Sequence, residues 1–116
     1  MGILNKNAIL AVVDLPTELV AVPEWGGEVY VRGMNGIERD QFELSIMGSD
    51  KKQNLENIRA RLVALTVVDE QGERLFTDDD VTALGRKSAT ALNRVVEVAQ
   101  RLSAIRNDDV EQLTKN

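Results

Sequence analysis

The chain contains neither cysteine nor histidine. Those two absences exclude disulfides, thiolate nucleophiles, imidazole bases and zinc sites built on Cys and His. Aromatic residues are nearly as scarce. Trp25, Tyr30, Phe42 and Phe76 are the full set, so a core must come chiefly from Val, Leu, Ile and Ala. No apolar run approaches the roughly 20 residues that span a membrane, and the N-terminus lacks a basic region followed by an apolar signal segment. Cytosolic residence is the expectation, and the absence of cysteine is compatible with a reducing compartment. Positive charge is also short: 14 Lys and Arg against 19 Asp and Glu leave a net charge of -5. A phosphate-backbone binder needs a basic face to displace counterions, so nucleic acid is not an expected partner.

What is present suits one small globular unit. At 116 residues, with 43% hydrophobic and 28% charged, residues 1–116 read as a single domain with one core, and 1–16 and 107–116 read as its mobile ends. The most informative stretch is VPEWGGEVYVRGMNGIERDQFE, residues 22–43. Two apolar runs, 17–22 and 28–32, flank Gly26 and Gly27, and such a pair supplies the positive φ that hairpin turns demand. Pro23 cannot donate to a strand ladder, which favours a four-residue loop at 24–27 over a two-residue turn. Because strand side chains alternate, Val20, Val22, Val29 and Val31 share one face, expected to be core. The opposite face then carries Leu19, Ala21, Tyr30 and Arg32, with Trp25 near the loop. Trp25 and Tyr30 can serve as covers for a small core. The alternative is a partner-binding patch of Trp25, Tyr30, Arg32 and Leu19.

Along the chain, Asn5 is a candidate cap for a short helix through 7–12, ending near Asp14 because Pro16 disfavours helix for Leu15. Asn35 and Glu38 have capping-box spacing, which starts a second helix. Phe42 and Ile46 lie four apart and Ile37 and Leu44 seven apart, so all four are expected on one apolar side, with Arg39, Asp40 and Glu43 outward. A polar loop follows at 48–52. A helix at about 53–63, a short strand to Val68, a turn at 70–72 and a returning strand through Leu75 and Phe76 come next. The last long helix begins at Lys87 or Ser88 and runs to about Arg106, with Leu92, Val95, Val96, Ala99 and Leu102 as its stripe. Residues 107–109 are a fresh cap for a final turn. The fold class is therefore α+β, mainly α: an N-terminal hairpin and a second small hairpin on three to four helices.

Thr77 and Asp80 repeat the capping-box spacing, which places Asp78, Asp79 and Asp80 at the positive end of a short helix. Consecutive carboxylates do not converge on one point in a helix, so a metal site is not expected. A hydrolase using Asp78 and Asp80 would need two carboxyls with separated pKa values in one cleft. Nothing in the spacing indicates that. No catalytic, cofactor or metal residue is assigned.

The stretch at 22–43, its LxTExVxVPEWGG lead-in, the VVDEQGERLFTDDDV segment and the helix KSATALNRVVEVAQRLS together resemble the tail assembly chaperone family of long-tailed bacteriophages and prophages. The similarity runs from Ile9 to about Ala104, and its most specific part is PEWGG followed by ERD. The resemblance implies a protein absent from the finished virion that keeps the tape measure protein soluble and helps recruit tail tube subunits, without catalysis or cofactor, in the host cytoplasm. Self-association is left open, and a small structural tail or connector protein is the alternative. It also implies that a minority of ribosomes slip back one nucleotide near the end of the gene. Thr114, Lys115 and Asn116 permit this, since ACA, AAA and AAC contain the slippery heptamer A-AAA-AAC. This chain would then be the shorter product, with the longer form reaching the tail tube protein.

Overall fold

The computed structural model describes residues 2–47 and 55–104. Its elements run α1 (Lys6–Ala11), β1 (Thr17–Val22), β2 (Gly27–Arg32), α2 (Gly36–Met47), α3 (Ile58–Thr66), β3 (Val67–Val68), α4 (Val81–Gly85) and α5 (Ala89–Leu102). This is an α+β fold in which helix predominates. The strands form one antiparallel sheet in the order β1-β2-β3.

The hairpin pairs Val20 with Val29 and Val22 with Gly27, so its four-residue loop is 23–26, one position earlier than expected. Pro23 explains the shift. Having no N–H for a ladder, it opens a 3-10 turn at Pro23–Trp25 that closes with Gly26 N–H donating to the Pro23 carbonyl at 3.0 Å. Of the Gly26–Gly27 pair, Gly26 alone takes a positive φ, 74°, leaving Gly27 free to begin β2. Val20, Val22 and Val31 are buried as expected and Val29 is partly buried.

Helix α5 lies across that valine face. Its first turn is capped by Ser88 Oγ, which accepts from Ala91 N–H at 3.2 Å. Ala91, Leu92, Val95 and Ala99 are buried, and the two alanines let the helix approach closely. The helix ends at Leu102, not near Arg106. Ala104 takes a left-handed φ of 55°, while Met34 N–H donates to Ser103 Oγ at 2.9 Å and Arg39 Nη1 to the Ser103 carbonyl at 3.1 Å. Gly33 makes this junction possible: a Cβ there would sit 2.7 Å from the Leu102 carbonyl oxygen.

The middle of the chain departs furthest from its periodicity. Helix α3 begins at Ile58 and continues through Thr66, leaving only Val67–Val68 as strand. Residues 64–66, expected as strand, stay helical because Ala60 and every residue from Leu62 to Thr66 are buried among α2, α4 and α5, and burial on all sides overrides β propensity. Thr66 meets its polar requirement by donating from Oγ1 to the Leu62 carbonyl at 2.8 Å. Residues 53–54 lie outside the described residues, and 55–57 are not helical. In place of a second hairpin, β3 joins β2, and the returning segment makes a single bridge, Val68 to Arg74.

Helix α2 is turned differently from its expected face. The Asn35–Glu38 capping box forms, with Glu38 N–H donating to Asn35 Oδ1 at 2.8 Å and Asn35 N–H to Glu38 Oε1 at 3.0 Å. Arg32 Nη2 also donates to both Glu38 oxygens, at 2.8 and 2.7 Å. This draws Glu38, and with it Phe42 and Ile46, inward. Ile37 and Leu44 consequently face solvent, 70% and 68% exposed. At the other acidic site, Thr77 and Asp80 cap the turn before α4 reciprocally, Thr77 N–H donating to Asp80 Oδ2 at 2.8 Å.

Candidate partner-binding surface

The hairpin register decides which candidate residues meet. Leu19 pairs directly with Tyr30, and Tyr30 with Val68 across the next strand. Ala21 and Glu28 face one another one step along, on the same side of the sheet. Leu19 is 48% exposed, Tyr30 is half buried and Val68 is covered. Among the described residues α5 is the helix packed extensively on β1 and β2, and it occupies the opposite, valine side. The outer face is therefore a small apolar surface on which no helix packs extensively among the described residues.

Arg32 lies on this outer face, yet its guanidinium is engaged within the chain. Besides the two bonds to Glu38, Nη1 donates to the Gly72 carbonyl at 3.0 Å. The side chain thus ties β2, the start of α2 and the turn after β3 together. Its Nε is buried and has no hydrogen-bond partner.

Trp25 goes elsewhere. It packs partly buried against the core, and its ring borders a cavity of about 400 Å³ lined by Glu24, Phe76, Leu84 and Lys87. Its indole Nε1 is buried without a partner. The turn that carries it is clasped to α5, because Arg94 Nε donates to Glu24 Oε1 at 2.8 Å and Nη2 to Oε2 at 3.0 Å. The four candidate residues thus divide: Leu19 and Tyr30 are neighbours, Arg32 is an internal tie beside them, and Trp25 turns toward the core.

Two exposed apolar features were not found from sequence. The first is residues 2–14. Helix α1 has no buried residue, and Ile3, Leu4, Ile9, Leu10, Val12 and Val13 are all exposed. The signal was present, since a six-residue helix carrying Ile9 and Leu10, flanked by Ile3, Leu4, Val12 and Val13, is too short to bury these side chains against itself. The second is a groove of about 420 Å³ floored by Phe42, Ile58, Leu62 and Val96. Its rim carries Arg59, whose Nε donates to Asn93 Oδ1 at 2.7 Å. Among the described residues no group of three acidic side chains converges as a metal site would require, and no helix is long and apolar enough to cross a membrane.

A family model described as phage tail assembly chaperone matches residues 6–115, nearly the whole chain. The chain belongs to the phage tail assembly chaperone family. A solved structure described as that of the bacteriophage HK97 tail assembly chaperone has the same fold at 16% sequence identity, with a TM-score of 0.61, covering 88% of this chain and 91% of that one. No curated protein matches the chain in sequence. Among the described residues, several apolar surfaces of the chain are left uncovered. The outer hairpin face, residues 2–14 and the α2 side chains Ile37 and Leu44 are where this tail assembly chaperone exposes such surface.

Proposed function

We propose that the chain binds the tape measure protein during tail assembly, covers its apolar helical stripe until tube subunits arrive, and is absent from the finished virion. The observation that carries this reading is the outer hairpin face, where exposed Leu19 and half-buried Tyr30 form a cross-strand pair on a sheet whose other face is already occupied by α5. A long helix with an exposed apolar stripe aggregates unless a partner covers it. Leu19 and Tyr30 make the contact, Arg32 holds the adjacent turn in place, and Trp25 supports the hairpin end beside its cavity. The activity is binding without catalysis or cofactor, in the cytoplasm of the bacterial host.

A longer, less abundant form made by ribosomal slippage near Thr114, Lys115 and Asn116 would add contacts to tail tube subunits. Two partners on one tether gain effective concentration relative to free diffusion. Sequencing the last codons and the overlapping minus-one frame tests that part, which an immediate minus-one stop would overturn.

The binding test is co-purification with a tape measure fragment. Tyr30→Ala is expected to weaken capture more than it lowers thermal stability, and unchanged capture would reject the hairpin face. Mass spectrometry of purified particles distinguishes chaperone from tail component, since the chaperone is absent and a structural subunit is stoichiometric.

A further inference from the structure

The two faces of the sheet carry a similar pattern of groups, and among the described residues a helix packs extensively on one of them. On the inner face, α5 lays its apolar stripe over Val20, Val22 and Val31. Its arginines then reach acidic residues of the hairpin: Arg101 Nη2 donates to Glu18 Oε2 at 2.7 Å, and Arg94 holds Glu24. The inner face thus accepts an apolar helix flanked by arginine.

The outer face repeats the acceptor half of that arrangement. Leu19, Ala21 and Tyr30 supply the apolar strip. Glu28 stands on the same face opposite Ala21, exposed and without an ion-pair partner among the described residues. Exposed Glu70 and Glu73 lie on the turn that Arg32 draws toward this face through the Gly72 carbonyl. The cation that the strands themselves place here is Arg32, already bonded to Glu38. Arg74, bridged to Val68, donates instead to the Ala64 carbonyl and to Asp78. The surface is apolar at its centre and acidic at its rim.

We infer that the outer face seats an amphipathic helix whose apolar stripe is flanked by lysine or arginine, so that the sheet becomes the middle layer between α5 and the captured helix. A sheet with one face packed and one apolar face open is completed by a second layer, and opposite charges at the rim select and orient the partner. This names the chemistry of the helix captured at the proposed partner site and rests on that reading.

The test uses the full chain and two designed helical peptides with the same leucine stripe, one flanked by lysine and arginine, the other by glutamate, with affinities measured by calorimetry. The basic peptide is expected to bind about tenfold more tightly, because several exposed ion pairs at the rim each contribute modestly. That preference should shrink at high salt. Reversing the rim with Glu28→Lys, Glu70→Lys and Glu73→Lys should favour the acidic peptide, and Leu19→Asp should abolish both interactions while thermal unfolding is unchanged. Equal, salt-independent affinities would overturn the charge assignment and leave the hairpin site standing. Binding insensitive to Leu19→Asp would overturn the site itself. Sedimentation showing a dimer that Leu19→Asp dissociates would assign the face to a second copy and also overturn the inference.

Discussion

Glu38 shows how much one residue can organise. It caps α2, accepts from Asn35 and holds the Arg32 guanidinium, with side-chain exposures of 16% for Arg32 and 9% for Glu38. Removing one partner of a largely desolvated pair leaves the other charge uncompensated. Glu38→Ala is therefore expected to destabilise the chain by about 3 kcal/mol, measured by urea denaturation; a loss below about 1 kcal/mol would mean that water replaces the carboxylate. At the surface the pairs Glu18–Arg101 and Glu24–Arg94 act differently. Hydrogen bonds from Arg101 and Arg94 hold these carboxyls below their ordinary 4.5. A carboxyl whose pKa falls on folding stabilises fully above its unfolded value and loses that contribution as pH falls through the folded value. Melting temperatures followed downward from neutral pH should decline below about 4.5, and the decline should be shallower in an Arg94→Ala, Arg101→Ala variant. An identical slope in both proteins would show that solvent screens the pairs completely.

At the scale of elements, α5 and α1 stand at opposite extremes. Leu92 on α5 is buried within the core cluster, and Leu92→Ala should cost about 2–5 kcal/mol, as truncations of buried leucine do. Helix α1 has no buried residue, and an isolated helix of its length is not stable in water by itself. Deleting residues 2–14 should leave the melting temperature of the remainder within about 2 °C, since such surface changes alter stability by about 0.5 kcal/mol or less. A larger fall would show that these residues contribute to the fold in solution. The α2 face offers the related lesson. Ile37 and Leu44 fit an apolar stripe by spacing alone, yet the Asn35 cap and the Arg32 tie fix the helix with Glu38, Phe42 and Ile46 inward. Spacing reports which residues share a side, not which side is buried.

For the whole molecule, a radius of gyration of 15.3 Å exceeds the about 13 Å expected of a compact chain of this length. Solution scattering should show a smaller radius after residues 2–14 are removed if they extend from the body. Calorimetry is expected to give one cooperative transition, because a single cluster joins the hairpin valines to Phe42, Val63, Leu84 and Val95. The sequence by itself determined the elements governed by local chemistry. Gly26 makes the hairpin turn, Asn35 with Glu38 and Thr77 with Asp80 form reciprocal caps, and the stripe around Leu92 and Val95 forms α5. These depend on groups within a few residues of one another, whose geometry short-range bonding settles. The tertiary structure alone decided that the run at 64–66 stays helical, that β3 pairs with β2, that Arg32 turns inward to Glu38 and that Trp25 packs toward the core while Leu19 and Tyr30 stay outside. Each of those outcomes depends on which distant surface arrives to bury a side chain, and burial against a distant partner outweighs the small propensity differences a local sequence can express.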